Sequence, residues 1–181
     1  EPIFVFQVWE FMRPSIVKIA AQAGFHMIWV ENEHVLRNEE ALTDFIVAAR
    51  DNGLDVLTSV PTHERHYVSR VLDAGAVGIM LPHAETVGQI QELVRWVKYP
   101  PAGERAVVFG PNADYREPAD LGRFCEESNA ATMILLKIES RKGVENAEDL
   151  LSNEWVDAMC FGPVDLSVSM GFPGQTDHPE Q

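Results

Sequence analysis

Cysteines, basic side chains and long apolar runs are all scarce in this sequence. Only Cys125 and Cys160 occur among 181 residues, and neither belongs to a Cys-x-x-Cys or Cys/His metal-binding pattern. We therefore expect reduced, buried cysteines in a cytoplasmic protein. No apolar run approaches the roughly 20 residues that cross a bilayer, so the sequence predicts no membrane segment.

Basic residues are outnumbered two to one by acidic ones. Lys and Arg number 14 against 28 Asp and Glu, and the formal net charge is −14. Nucleic acids are bound by cationic surfaces, so the sequence predicts no nucleic-acid partner. An anionic small molecule stays compatible with this charge, because a metal ion or one or two placed arginines can reverse the field locally.

What the sequence does contain is a regular alternation of apolar, strand-like segments with amphipathic, helix-like segments. Helices are predicted between the strands, among them Pro118–Asn129 and Gly143–Leu151, and residues 171–181 are predicted to form a loop. Short connections imply parallel strands that are covered by helices. Seven strands are predicted: Ile3–Val8, Met27–Val30, Leu54–Val60, Val77–Leu81, Arg105–Phe109, Thr132–Glu139 and Val156–Phe161.

A doubly wound sheet and a TIM barrel both fit this alternation. An open sheet builds its site mainly at the strands where the order reverses, whereas a ring brings many strand ends to one mouth. The sequence favours the ring, because polar residues follow most strands: Glu31, Glu33, His34, Ser59, His83, Glu139 and Asp165. We predict an α/β TIM barrel formed by residues 1–181 as one domain. Since a closed barrel has eight strands, we expect the eighth strand and the last helix to lie beyond this sequence.

Two carboxylates, Glu139 and Asp165, stand at the exits of successive apolar strands. A carboxylate in such a place costs several kcal/mol to desolvate unless a cation or a donor accompanies it. For either residue alone, a salt bridge or a helix cap is the simpler interpretation. Together at one end of adjacent strands, they predict a pair of ligands for Mg²⁺ or a similar divalent cation.

Two further features belong to the same strand exits. The loop Gly162–Ser167 offers the backbone N–H groups of Val164 and Asp165 to a carboxylate or phosphate, although a simple turn explains it equally well. His34 follows a strand beside two glutamates and suits proton transfer, with a plain loop residue as the alternative. Asp73 is a candidate to orient its imidazole; a surface aspartate on a helix is the competing interpretation.

Several short motifs occur in a fixed order over almost the whole chain. They are Ala23-Gly24-Phe25, Glu33-His34, Leu72-Asp73-Ala74-Gly75, Tyr99-Pro100-Pro101-Ala102-Gly103-Glu104-Arg105, Ile138-Glu139, Gly162-Pro163-Val164-Asp165-Leu166-Ser167, Met170-Gly171-Phe172 and His178-Pro179. With these motifs the sequence resembles the HpcH/HpaI aldolase family, the metal-dependent class II pyruvate aldolases built on a TIM barrel.

The resemblance implies roles for individual residues. Glu139 and Asp165 would hold the divalent metal, with Mg²⁺ first and Mn²⁺ or Co²⁺ as alternatives. The backbone at Val164 and Asp165 would receive the pyruvate carboxylate. His34, paired with Asp73, would serve in acid–base catalysis. The resemblance also implies a homohexamer that acts on a small 2-oxo acid and an aldehyde.

Two positions depart from the family pattern. Ser59 stands where the family has an arginine that steadies the enolate oxygen, and Lys137 stands where it has a glutamine. Losing a charged donor at such a position can lower the rate by roughly 10²–10³. Arg65 or His63 in the following loop is a candidate to reach in instead. For the Lys137 ammonium two alternatives are open: it replaces part of the missing charge, or it competes with the metal.

These residues together predict a metal-dependent carbon–carbon lyase that cleaves or forms 4-hydroxy-2-oxo acids through a pyruvate-type enolate. Ser59 and Lys137 keep two alternatives open. One is another cleavage of a 2-oxo or acyl substrate on the same scaffold, and the other is a non-catalytic protein that binds a metal or an oxo acid.

Overall fold

A computed structural model describes residues 2–180, and this part of the chain contains six β-strands. The strands pair in parallel and in chain order, each with the next. They are β1 (Val5–Val8), β2 (Met27–Val30), β3 (Asp55–Ser59), β4 (Gly78–Leu81), β5 (Met133–Ile138) and β6 (Ala158–Phe161).

The strands are connected by helices, some of which begin at well-defined caps. Thr86 and Gln89 form a capping box at the start of α4 (Val87–Val97), and the Asn38 side chain accepts a hydrogen bond from the first turn of α2 (Glu39–Asp51). None of the helices within residues 2–180 is long and apolar enough to span a membrane. They are α1 (Pro14–Gln22), α2 (Glu39–Asp51), α3 (Arg65–Asp73), α4 (Val87–Val97), α5 (Leu121–Ala131), α6 (Arg141–Glu145), α7 (Ala147–Leu151) and α8 (Pro163–Ser169).

The two faces of the sheet have different surroundings, as β5 illustrates. Ile134, Leu136 and Ile138 belong to the large core that the helices share, whereas Met133 and Leu135 pack with inner side chains of neighbouring strands. The strand order contains no reversal, which a doubly wound sheet would require. The α/β architecture is therefore confirmed, and the six strands are consistent with part of a TIM barrel.

The predicted strand Arg105–Phe109 is wrong, because this segment has no regular secondary structure. Its first residue is held in the helical layer. The backbone N–H of Arg105 donates to Lys98 O (3.0 Å), and its guanidinium pairs with Asp73 (2.8 Å) and lies over the Tyr99 ring. β4 consequently pairs directly with β5, and six strands are observed instead of seven.

Smaller differences concern helix boundaries. The predicted helix Pro118–Asn129 begins later, after Asp120, whose carboxylate caps α5 by accepting from Arg123 N (3.0 Å). The predicted helix Gly143–Leu151 is divided into α6 and α7 at Asn146, whose side chain donates to Glu85 O (2.7 Å). Residues 171–180 contain turns, as predicted, and the two terminal positions of the predicted domain lie outside the described residues.

Candidate active site

The carboxyl ends of all six strands meet at one edge of the sheet, because neighbouring strands are parallel. Lys137 near the end of β5 is paired in register with Cys160 on β6, and Cys160 packs on the inner face. The next inward positions are Glu139 and Gly162, and Gly162 N continues the pairing by donating to Ile138 O (3.0 Å). Most of the polar residues that the sequence pattern singled out therefore gather at this edge.

Glu139 is almost completely buried, with 1% of its side chain exposed. The backbone N–H of His83 donates to its Oε2 (3.2 Å). His83 has a φ of 47°, a left-handed conformation that is uncommon outside glycine and often found at functional sites. Oε1 accepts no aligned hydrogen bond from the described residues, although Lys137 Nζ lies 2.6 Å away. Glu139 is thus a buried carboxylate with one oxygen that lacks an aligned donor.

Gly162 leaves room for this carboxylate. A Cβ added at position 162 would lie 2.7 Å from Glu139 Cγ and would overlap Oε1. Side chains cannot approach so closely, and Glu139 has little space to move because its other oxygen is held by the His83 backbone. The glycine is therefore needed for the observed carboxylate position.

We expect Gly162→Ala to displace the Glu139 carboxylate and to weaken Mn²⁺ binding about tenfold or more, the size of effect seen when groups that orient a metal ligand are removed. Titration calorimetry with Mn²⁺ would measure this. Gly88→Ala is the matched control, because Gly88 lies in α4 and a Cβ there would have its nearest neighbour at 3.9 Å. Equal Mn²⁺ affinity in the two variants would contradict the structural role of Gly162.

Glu33 lies beside Glu139 and is mostly buried, with 13% of its side chain exposed. Its Oε1 is 3.5 Å from His83 Nε2, and its Oε2 is 3.4 Å from His34 Nε2. Burial and the Glu139 charge raise the pKa of Glu33, while the charges of Lys137 and the two histidines oppose this effect. Two carboxylates are therefore held close together with little water to separate their charges.

Lys137 provides the positive charge next to this pair. Its ammonium lies 2.6 Å from Glu139 Oε1 and 3.7 Å from Glu33 Oε2, and 12% of its side chain is exposed. Burial lowers the pKa of Lys137, but the contact with Glu139 and the charges of Glu33 and Glu31 outweigh burial and raise it above the ordinary value. Lys137 is consequently a charged ammonium at neutral pH.

His34 forms the outer wall of the same region. Its imidazole stacks on the Trp9 ring with centroids 6.2 Å apart, and 49% of the side chain is exposed. The ring is therefore held in orientation by Trp9 and Glu33 while one side stays accessible to a small molecule.

Two groups of ligand atoms within residues 2–180 converge to less than 4.8 Å: Glu33, His83 and Glu139, and Glu31, Glu33 and His34. Glu33 Oε2 and Glu139 Oε1 are both buried and accept no aligned hydrogen bond. Hard divalent cations coordinate carboxylate oxygens of this kind. The residues therefore fit a divalent cation. Neither group includes Asp165, which is exposed in the first turn of α8.

Ser59 is completely buried and lies next to Glu31, a member of the second of these groups. Its hydroxyl accepts a hydrogen bond from Asn32 N (2.8 Å) and donates to Glu31 Oε1 (2.9 Å). A hydroxyl has one proton to donate. In this arrangement Ser59 therefore has no proton left for a substrate oxygen.

The structure does not bring Asp73 and His34 together within this chain. Asp73 is the last residue of α3, so it lies at the amino-terminal edge of the sheet, whereas His34 follows the carboxyl end of β2. The Asp73 carboxylate accepts from Arg105 Nη2 (2.8 Å), and His34 is next to Glu33 instead.

The remaining predicted residues are exposed and lie in the first turns of α3 and α8. Arg65 is the exposed first residue of α3 and lines a surface groove with Trp96 and Ser69. Val164 and Asp165 are exposed in the first turn of α8. Their backbone N–H groups precede the first helical hydrogen bond, Leu166 N to Gly162 O (2.9 Å), and have no acceptor within the helix.

Glu33 and His83 are the residues whose place in the cluster the sequence did not reveal. Glu33 comes three residues after the end of β2 and His83 two residues after the end of β4, so the local signal they share is a position just past a strand. Their contact with Glu139 depends on the order in which the strands pair, because His83 and Glu139 are 56 residues apart.

Comparison with known proteins identifies the family of this chain. The model of the family described as HpcH/HpaI aldolase/citrate lyase matches residues 9–181. The chain belongs to this family. A solved HpcH/HpaI aldolase from Desulfitobacterium hafniense superposes with a TM-score of 0.94 at 34% identity, over 99% of this chain and 69% of that one.

Two curated relatives have named activities. The hydroxypyruvate/pyruvate aldolase of Roseobacter denitrificans is 33% identical over 165 residues, which cover 90% of this chain and 63% of that protein. The 5-keto-4-deoxy-D-glucarate aldolase of Klebsiella pneumoniae is 31% identical over 174 residues, which cover 92% of this chain and 64% of that protein. This HpcH/HpaI chain thus spans a little under two thirds of the length of these relatives.

Proposed function

We propose that this protein is a metal-dependent carbon–carbon lyase that cleaves or forms 4-hydroxy-2-oxo acids through a pyruvate-type enolate. The observation that carries the proposal is the buried pair Glu33 and Glu139, whose carboxylates converge with His83 at the carboxyl edge of a parallel sheet. The named activities of the relatives, which act on oxo acids, agree with this chemistry.

The metal ligands in this proposal are Glu139 and Asp165, with Glu33 as an additional carboxylate from the same cluster. Bound there, Mg²⁺, or Mn²⁺ or Co²⁺ in its place, would supply Lewis acidity that stabilises an enolate. Glu139 is fixed by the His83 backbone and by Gly162, so its carboxylate is oriented before any ligand arrives. Such preorganisation lowers the free energy needed to assemble the site.

His34 is the proposed acid–base group. It moves the proton of the hydroxyl group on the aldehyde side of the substrate. The role is assigned to His34 because its half-exposed ring is adjacent to Glu33 and stacks on Trp9. The 2-oxo acid carboxylate is received by the backbone N–H groups of Val164 and Asp165, which have no acceptor in α8. Asp73 and Ser59 take no step here, since their polar groups are engaged with Arg105 and Glu31. Arg65 takes none either, because it forms no ion pair with Glu33 or Glu139 and lines a separate groove.

The test is release of pyruvate or hydroxypyruvate from a panel of 4-hydroxy-2-oxo acids. We expect turnover with Mg²⁺, Mn²⁺ or Co²⁺, loss of turnover after EDTA treatment and gel filtration, and recovery when the cation is returned. A rate that persists in protein shown to be metal-free by mass spectrometry would contradict the metal dependence.

A second candidate reaction is favoured by one observation, the ammonium of Lys137 beside the carboxylates. It is cleavage of a different 2-oxo or acyl substrate on the same site. A panel in which only ordinary aldol substrates are turned over would eliminate it.

Other properties of the whole protein stay predictions. They are the homohexamer, the aldehyde partner and the cytoplasmic location. Size-exclusion chromatography with light scattering measures the first directly, since a hexamer has six times the mass of the single chain.

A further inference from the structure

We infer that Lys137 is a resident counter-ion of this site: its ammonium offsets part of the negative charge of Glu33 and Glu139 until a divalent cation binds, and it then donates to the anionic oxygen of the substrate. The inference rests on the proposed function for the substrate class, a 2-oxo acid. Its two parts, competition with the metal and donation to the oxo acid, are separately measurable.

The position of Lys137 supports the first part. Its ammonium lies 2.6 Å from Oε1 of Glu139, a proposed metal ligand. It also lies 3.7 Å from Oε2 of Glu33, the additional carboxylate of the proposed site. An ammonium and a divalent cation repel each other and cannot share these oxygens, so each must bind at the expense of the other.

No other lysine or arginine within residues 2–180 forms an ion pair with Glu33 or Glu139. The Arg37 guanidinium is bound to backbone oxygens of Glu31 and Trp9. Arg65 lies in the outer groove of α3. Among the residues that the structure describes, Lys137 is therefore the only lysine or arginine in a position to act as counter-ion for Glu33 and Glu139.

The surroundings of Ser59 support the second part. Because its proton is donated to Glu31 Oε1, the buried hydroxyl cannot stabilise negative charge on the substrate. Once a divalent cation neutralises Glu33 and Glu139, the ammonium is released from them. A lysine has a flexible four-carbon stem and three donors, so it can turn towards a nearby anion without movement of β5.

The experiment compares Lys137→Gln with the wild-type protein in two titrations. In the first, Mn²⁺ alone is titrated calorimetrically, and we expect binding on the order of tenfold tighter because the competing ammonium is gone. In the second, pyruvate is titrated into the Mn²⁺-loaded protein, and we expect binding on the order of tenfold weaker because a charged donor is lost. Opposite shifts are expected only from a group that opposes the metal and assists the oxo acid.

The matched control is Lys142→Gln, which removes a positive charge from the exposed start of α6, where it pairs with Glu85. It should leave both affinities unchanged. Lys137→Arg retains the charge, so its Mn²⁺ affinity should stay near the wild-type value. If Lys137→Gln folds only when Mn²⁺ is present, as judged by circular dichroism, that result supports the counter-ion role too.

Unchanged or weaker Mn²⁺ binding by folded Lys137→Gln would overturn the inference, as would pyruvate binding that does not fall. Neither titration requires turnover. If the wild-type protein fails to cleave every 4-hydroxy-2-oxo acid but the opposite shifts are found, the proposed reaction is wrong and the role of Lys137 stands.

Discussion

Glu139→Gln is expected to abolish divalent-dependent cleavage, with a loss of roughly 10³ or more in kcat/KM. A metal ion contributes several kcal/mol to the stabilisation of charge in such a reaction, and that energy corresponds to a rate factor of this size. The amide keeps the size of the carboxylate but provides one neutral oxygen in place of a charged pair. Steady-state kinetics at saturating Mg²⁺, together with Mn²⁺ titration of the same variant, would measure the effect.

The buried position of Glu139 requires a check on folding, because the substitution leaves the Lys137 ammonium without its nearest partner. Thermal unfolding should show a folded protein with weaker Mn²⁺ binding. Glu145→Gln is the matched control, since Glu145 is an exposed carboxylate at the end of α6. Activity within a few fold of wild type in folded Glu139→Gln would remove Glu139 from the metal site.

His34→Ala is expected to lower kcat by roughly 10²–10⁴, the contribution of a positioned general acid or base. Mn²⁺ affinity should change little, since the proposed metal ligands Glu139, Asp165 and Glu33 are all retained. The two readouts therefore separate a group that moves a proton from one that holds the metal. Half of the His34 side chain is exposed, so the substitution should not unfold the protein.

The control for this variant is His66→Ala, because His66 is exposed on α3 and faces Glu64 outside the site. It should retain the wild-type kcat. A His34→Ala protein with nearly full kcat and an unchanged pH profile would leave the proton transfer to another group, with His83 as the next residue to replace.

The order of helices and strands was determined by the sequence itself. Apolar segments of strand length and helical stripes that repeat every three or four residues are local patterns, and local patterns decide which periodicity can bury its apolar face. The residues that follow these strands could also be identified from the sequence, which is why Glu139 and His34 could be assigned to one edge of the sheet. Parallel pairing follows from the alternation, because a strand that returns through a helix runs in the same direction as the one before.

Arg105–Phe109 shows where local patterns fail. The segment has the composition of a strand, but Arg105 is held by Asp73 and by the end of α4. Burying a guanidinium without a charged partner is costly. The ion pair with Asp73 therefore holds Arg105 away from the sheet, and the segment does not form a strand. The interaction joins residues that are distant in sequence, so no window along the chain contains both.

The chemistry of the site was decided only by the tertiary structure. Strand register brings the ligand atoms of Glu33, His83 and Glu139 within 4.8 Å of one another and places the Lys137 ammonium beside the Glu139 carboxylate. It also places Ser59 so that its hydroxyl donates to Glu31. It also separates Asp73 from His34 by placing them at opposite edges of the sheet. The sequence determined which groups are available at the carboxyl edge. Which of them share a proton or a cation depends on distances of a few ångströms between strands, and those distances are fixed only when the whole sheet has packed.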